Sequence, residues 1–400
     1  MNDEYETRVV AMRRYLEGEP PIRIYTSLGR SPVWFFKWWN RYKSVGLDGL
    51  KDLPKSPHHQ PHHTSEAVEK AIVRMRELRE KRERDETQYA LIGALAIHQE
   101  LQDLGYTPPS VRTVHKILVR NGLIVPQPEP KPVREIIARH YPALTITAPG
   151  QLQQLDLVGP RYLTGSSQKY YFYNLRDVCS RTVAIEVGKN HRAATIVDAL
   201  IRSWQRMGCP VILQHDNALE FRGSNRHPHS AGLLTKLCLA LGIESLFIPS
   251  RQPYRNGTIE NFNGLFQRLV LRTQQIDSFP QLQQAVKDFE DVANTQHPHV
   301  PLDGKTSKQY EQSVGFVPSL LSNDFTLSSR FHFKELPPGK VSFICRIRKS
   351  GKITIVTEKF EIDPELAWDY VYATIFVKEQ QLKIYHKGEV IKTFPYELKT

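Results

Sequence analysis

Apolar positions keep a helical period up to about residue 125 and change to a mixed α/β pattern after about residue 150. In the first stretch, "RVVAMRRYLEG", "PIRIYTSLG" and "SPVWFFKWWNRYKSVG" each read as a helix. Ser31 suits an N-cap and Pro32 the first helical position. Phe35, Trp38, Trp39 and Tyr42 fall at i, i+3, i+4 and i+7, which makes one apolar stripe and leaves Lys37 and Arg41 off it. Three short helices with Gly29 in the second turn predict a helix-turn-helix over residues 1–55. An ordinary three-helix bundle fits the same pattern. On either reading the aromatic stripe is core.

The pattern repeats over residues 64–124. "SEAVEKAIVRMRELREKRERDE" reads as a charged amphipathic helix, and "YALIGALAIHQELQDLG" as another. In "PPSVRTVHKILVRNGL", Ser110 caps, Val114, Ile117 and Leu118 form the buried stripe, and Gly122 ends the helix. Arg112, Thr113, His115, Lys116 and Arg120 are left facing out, as a recognition helix requires: basic groups for phosphates and short polar ones for base edges. A solvated helix face is the competing reading. The recurrence of the pattern in two blocks favours DNA.

After residue 150 come strand, strand, strand, helix, strand, helix, strand and helix: "QLQQLDLVG", "KYYFYNLRDVCS", "RTVAIEVG", "HRAATIVDALIRSWQRMG", "VILQHD", "RHPHSAGLLTKLCLALG", "IESLFIP" and "RQPYRNGTIENFNGLFQRLVLR". This is the element order of an α/β ribonuclease-H-like core, placed at residues 149–312. A further helical segment, "FPQLQQAVKDFEDVANTQHPHVPLDGKTSKQY", closes it. Residues 330–400 alternate over short strands with turn signals and predict a small SH3-like β-barrel with a basic edge at Lys340, Arg346, Arg348, Lys349 and Lys352. The chain thus reads as multidomain: N-terminal all-α modules, a central α/β core and a C-terminal β-barrel. Prolines 126, 128, 130 and 132 mark residues 125–148 as a semi-rigid linker. "KSPHHQPHHT", with His58, His59, His62 and His63, reads as a linker too, because no cysteine or ordered scaffold accompanies the histidines.

Composition narrows the class. The chain has 400 residues and a formal net charge of +12, with the excess spread over both halves. That favours a polyanionic partner, most simply nucleic acid, although basic residues also aid solubility. Cys179, Cys209, Cys238 and Cys345 are scattered without a CxxC pair, which argues against a cysteine-type zinc site and for a reducing compartment. No apolar run approaches the roughly 18 residues of a membrane span, and "MNDEYETRVV" is no signal peptide, so a soluble, cytoplasmic protein is expected.

The acids carry the chemistry. "VILQHDNALEF" runs a buried strand into Asp216, and a charge there is costly unless a cation or donor meets it. Capping of a turn is the plain reading. Asp156 lies in the first strand, which neighbours the fourth in such a sheet, and Glu260 opens a helix that packs across them. Three converging carboxylates suit two hard cations, as phosphoryl transfer requires. "QLDLVGP", "HDNALEF" and "PYRNGTIENFNGLFQR" together resemble the DDE transposases with a retroviral-integrase-type core, and more narrowly the bacterial insertion-sequence transposases that carry helix-turn-helix modules. "GLDGLKD" is similar to that group as well.

That resemblance implies a metal-binding catalytic triad of Asp156, Asp216 and Glu260 with two Mg²⁺ ions, for which Mn²⁺ would substitute. It implies Asn217 shaping the turn, Asn256 and Gly257 as a mobile loop, and Asn263 and Arg268 meeting DNA phosphates. It further implies element ends and target DNA as partners, a homodimer or higher oligomer, and a nucleoid-associated bacterial location. Two features depart from the family: the stretch between Asp216 and Glu260 is long, with "RGSNRHPHSAG" as the extra length, and Asn261 stands where a basic residue is common. Asp177, in "D-x-x-S-R", reads as structural, through Arg181 or a turn, and His215 as a neighbour of the site. The implied activity is transposition: binding of terminal inverted repeats, cleavage and strand transfer. A domesticated, silent DNA-binding regulator and a ribonuclease-H-like nuclease or resolvase are the rivals. The retained acids argue against the first and the helix-turn-helix arm against the second.

Overall fold

Ser31 accepts the Trp34 amide at 3.2 Å and Pro32 supplies the first turn, so the third helix starts where its cap stands. It completes a three-helix set: α1 (Asp3–Leu16), α2 (Pro21–Ser27) and α3 (Pro32–Val45). Ala11, Met12, Ile24, Phe35, Trp38 and Leu50 form its buried core, with Trp39 and Tyr42 packed against it, so the aromatic stripe is core as expected. The turn Gly46–Leu50 folds back on α3, and a side chain at Gly49 would collide with the Arg41 carbonyl. The computed structural model describes residues 3–53, 64–83, 87–125, 141–223, 227, 229–249, 252–325 and 335–400. It divides into two compact units, Met1–Thr64 and Ser65–Thr400. The histidine-rich stretch 58–63, most of the proline-rich linker and part of the 222–232 insertion fall outside the described residues.

The second unit opens with α4 (Glu66–Lys81), α5 (Ala94–Asp103) and α6 (Val111–Arg120), closed on Ile72, Ile97, Leu101, Val114, Ile117 and Leu118. Ser65 and Ser110 cap α4 and α6. Tyr89, between α4 and α5, is buried in the core that follows: its hydroxyl donates to Ala285 O at 3.1 Å and its carbonyl lies 2.8 Å from His297 Nε2.

That core has β1 (Leu152–Arg161), β2 (Tyr170–Asp177), β3 (Val183–Gly188), α7 (Ala193–Met207), β4 (Ile212–His215), α8 (Leu219–Arg222), α9 (Leu233–Ala240) and β5 (Glu244–Phe247). Then come α10 (Gly257–Phe266), a π-helical turn at Gln267–Leu271, α11 (Phe279–Thr295) and α12 (Ser307–Ser313). β1 and β2 pair antiparallel, β1 and β4 parallel, as the ribonuclease-H-like order requires. One face packs on α7 and α9 through Leu155, Trp204, Leu213 and Leu237, the other on α10 and α11 through Phe172, Phe262, Phe266 and Phe289. The outer edge, β3, is not left open. Asn294 both accepts from Val183 N and donates to Val183 O at 2.9 Å, and Glu290 accepts from Ile185 N at 2.6 Å.

The C-terminal segment corrects the expected barrel. β6 (Lys340–Arg346), β9 (Tyr370–Phe376), β10 (Gln381–His386) and β11 (Glu389–Pro395) continue the core sheet, while β7 (Lys352–Ile355) and β8 (Glu358–Glu361) form a separate hairpin. The order is β11-β10-β9-β6-β5-β4-β1-β2-β3, an open nine-stranded sheet. β6 pairs parallel with β5, with Leu246 opposite Ser342 and Phe247 opposite Phe343. The physical reason is the edge: β5 would otherwise offer a row of unpaired amides, and β6 closes it. Residues 141–148 also differ from a free linker, because Tyr141 and Leu144 pack against Leu246, Ile344 and Tyr370. Among the described residues, no helix is long and apolar enough to cross a membrane, and the four cysteines are unbridged.

Candidate active site

Asp156 lies mid-strand in β1, opposite Asn174 of β2. Its Oδ1 accepts from Leu157 N at 2.9 Å and its Oδ2 from Asn263 Nδ2 at 2.7 Å. Burial pushes its carboxyl up to about 6, and the charges of Asp216 and Glu260 push the same way, while the two hydrogen bonds oppose them. The charges of Asp216 and Glu260 therefore both reach Asp156.

Asn263 is a correction. It was expected to meet DNA phosphate from the Glu260 face of its helix, but it is buried and bonded inward at both ends of its amide. Nδ2 serves Asp156 and Oδ1 accepts from Asn174 Nδ2 at 2.7 Å. The carboxylate accepts only, so the nitrogen must face Asp156 and the amide orientation is fixed. The reason is position: one turn after Glu260, α10 faces β1 rather than solvent.

Asp216 leaves β4 and turns back on its own chain, where Oδ1 accepts from Ala218 N at 2.9 Å. Capping of the turn is what the described contacts of Asp216 display. Burial raises its carboxyl, the Ala218 amide lowers it and Glu220 raises it further. Glu260 stands in the first turn of α10, where the helix dipole favours an anion. Asp156, Glu260, Asn263, Arg161 and Gln267 line one cleft of about 510 Å³, which Asp216 does not line. Among the described residues no three His, Cys, Asp or Glu side chains are gathered closely enough to hold a metal ion. The donor chemistry itself fits hard cations: carboxylate oxygens, with a repulsion at Asp156 that a cation would relieve.

What positions these acids is a set of buried amides that the sequence reading passed over. Gln154, two residues before Asp156, accepts from Ile259 N at 3.0 Å, and so caps α10 from another element. Gln214, two residues before Asp216, donates to Asn256 Oδ1 at 3.2 Å and to Arg255 O at 3.1 Å. Asn256 Nδ2 donates to Leu155 O at 3.1 Å. Asn256 is thus buried and pinned, and Gly257 is the first residue of α10, at the place where a loop was expected. A polar residue two before each strand acid, on the same side of the strand, was the available signal.

Asp177 is structural through a turn, accepting from Cys179 N at 2.9 Å, Ser180 N at 2.7 Å and Gly150 N at 2.8 Å, while Arg181 donates to Thr258 Oγ1 at 3.1 Å. His215 does not line the site: it is buried between Phe221 and Phe247, bonded to Ser245 Oγ at 2.8 Å, and burial lowers it to about 4. On α3, Lys37 is exposed, whereas Arg41 donates to Lys51 O at 2.8 Å and lies over Trp38, so it is engaged inward. On α6, Arg112, His115 and Lys116 are exposed. Thr113 belongs to the cap, with its hydroxyl 3.1 Å from Ser110 Oγ, and Arg120 is tied to Glu69 through two nitrogens; both differ from the free recognition face expected. Arg268 is exposed on the π-helical turn.

Two family models match the chain. Residues 241–306 match the integrase core domain and residues 34–118 a homeodomain-like domain. The first includes Glu260 and begins after Asp156 and Asp216; the second runs from α3 to α6. Among solved structures, the HTLV-2 integrase catalytic core domain in complex with magnesium is 19% identical over 40% of this chain and 96% of its own, with a TM-score of 0.32. The BIV integrase catalytic core domain is 18% identical over 42% and 97%, with a TM-score of 0.32. The simian T-cell lymphotropic virus intasome in complex with the PP2A regulatory subunit B56 gamma is 14% identical over 76% and 97%, with a TM-score of 0.36.

Proposed function

We propose that this chain, which bears out its resemblance to the DDE transposases and integrases in an integrase core segment and a homeodomain-like segment, is a transposase that cleaves and joins DNA. The observation that carries the reading is the cleft at β1, where Asp156 and Glu260 face one space and the charge of Asp216 reaches Asp156. Asp156, Asp216 and Glu260 would hold two Mg²⁺ ions, or Mn²⁺ in their place, which would supply activation of water and of a DNA 3′-hydroxyl and stabilisation of the leaving oxygen. Asn263 keeps one Asp156 oxygen fixed, and the Gln154, Gln214 and Asn256 amides hold β1, β4 and α10 in register. The helical segments 1–55 and 64–124 bind the terminal inverted repeats, with Lys37, Arg112, His115 and Lys116 toward DNA and Arg268 on its backbone near the cleft. Two element ends must meet, so the active form is a dimer or larger.

A silent, sequence-specific DNA-binding regulator has one observation in its favour: Asp216 caps a turn and does not line the cleft. The test is a cleavage and strand-transfer assay on the DNA flanking the gene, with Mg²⁺ or Mn²⁺, beside Glu260→Gln. Nicks at a fixed end that vanish in the variant support the transposase. Sequence-specific binding without nicks in either protein supports the regulator.

A further inference from the structure

Asn217, next to Asp216, lines a second cleft of about 500 Å³ that reaches to the C-terminal strands. Arg222, Gln252, Arg346, Arg348 and Trp368 also line it, and among the described residues no aspartate or glutamate does. Arginine keeps its charge at any ordinary pH, so three guanidinium groups around one concavity make a strongly positive field. None of the three is in an ion pair among the described residues, and the Nε of Arg222 is buried without a hydrogen-bond partner. Arg346 ends β6 and Arg348 follows it past the fully buried Ile347; both arginines are exposed and line the cleft. The Arg346 guanidinium lies 4.9 Å from the Trp368 ring centroid, which holds it in place.

Trp368 adds an independent sign. Its φ is 77°, a backbone conformation that a bulky residue adopts only where its surroundings impose it, and its amide is tied to Ile347 O at 2.9 Å. The residue nevertheless stays 38% exposed. A strained backbone that keeps an indole at the wall of an arginine-lined cleft is a stacking platform.

The ligand follows from this chemistry. Guanidinium forks match phosphodiester oxygens, and an indole stacks on any base. A cleft in the size range of small-molecule sites, about 300–1,000 Å³, admits one or two nucleotides and excludes a duplex. We propose that this cleft binds an unpaired DNA strand without regard to sequence, with phosphates on Arg346 and Arg348 and a base against Trp368. The inference rests on the transposase reading only in taking DNA as the polyanion.

The experiment measures anisotropy of a labelled oligothymidylate and of a labelled duplex with the full chain, without divalent ions, over a salt series. Arg346→Gln and Arg348→Gln are expected to weaken single-strand binding and to reduce the salt slope by about 0.7 for each phosphate that is no longer neutralised. Trp368→Ala is expected to weaken it roughly five- to hundredfold with the slope unchanged, and Trp368→Phe to restore most of it. Duplex binding should change far less in every variant. Unchanged single-strand binding in a double arginine variant with a native circular-dichroism spectrum overturns the proposal, as does an equal loss for duplex. The nicking assay separates the two readings: a protein that nicks but binds strands as before in the variants loses only the cleft, and one that never nicks but loses strand binding in them loses only the transposase.

Discussion

Asn263 Nδ2 donates to Asp156 Oδ2 at 2.7 Å, joining α10 to β1 across a separation of 107 residues. The Asn174 amide holds Asn263 in turn. Asn263→Ala frees that oxygen and leaves Asn174 unpaired in the core. Nicking by the variant is expected to fall about 10- to 100-fold, the usual cost of losing a group that orients a metal-binding carboxylate. Sequence-specific DNA binding should persist. A variant that nicks at the wild-type rate would remove the orienting role.

The amide set around α10 makes a second prediction. Gln154→Leu keeps much of the volume but leaves Ile259 N–H buried without its acceptor, at a cost of about 1–3 kcal/mol. Gln214→Ala and Asn256→Ala break the link between β4 and the start of α10. Because Gln214 and Asn256 share one hydrogen bond, their double variant should be non-additive by about 0.5–3 kcal/mol in denaturant unfolding. Strict additivity would mean that the two amides do not act together.

His297 gives the pH dependence. It is buried, with Nε2 2.8 Å from the Tyr89 carbonyl, and burial lowers it from 6.5 to about 4, with Arg176, Arg79 and Arg82 pushing the same way and the Tyr89 bond opposing. A histidine with a lowered folded pKa takes up its proton more readily when unfolded. Its contribution is therefore complete above the unfolded value of 6.5 and is lost as pH falls toward about 4. The loss is on the order of 3 kcal/mol. His297→Gln keeps a donor for Tyr89 and removes the titration. Its thermal midpoint should fall less steeply than that of the native chain between those two pH values, and parallel curves would assign the acid sensitivity to other groups.

The elements with a clear period were legible in the sequence. Ser31 and Ser110 stand at the caps, the Phe35–Trp38 and Val114–Leu118 stripes are buried, and β1 lies beside β4. The site was legible as far as its residue types. Where each side chain points was not, because that depends on partners far along the chain: Asn263 turns inward to Asn174 and Asp156, and Arg120 is taken by Glu69. The pairing of the C-terminal strands with the core sheet was not legible for a related reason. Alternation marks a strand but does not name its neighbour. "VSFIC" in β6 did carry a hint, since five consecutive buried residues describe a central strand with both faces covered.

The position of β6 makes the last prediction. A self-contained barrel at residues 330–400 could be removed without harm to the core. In the observed sheet, removal strips β5 of its parallel partner and exposes Phe247, which stacks on Phe343 with ring centroids 4.6 Å apart. A chain ending before β6 should therefore aggregate through the bared edge of β5, or fold only with a large loss of stability. Phe343→Ala in the full chain should cost about 3–5 kcal/mol, the scale for a buried aromatic, without changing the oligomeric state. Sedimentation of the shortened chain and denaturant unfolding of the variant measure the two effects. A shortened chain that stays monodisperse with native stability would contradict the shared sheet, because nothing else among the described residues covers that edge.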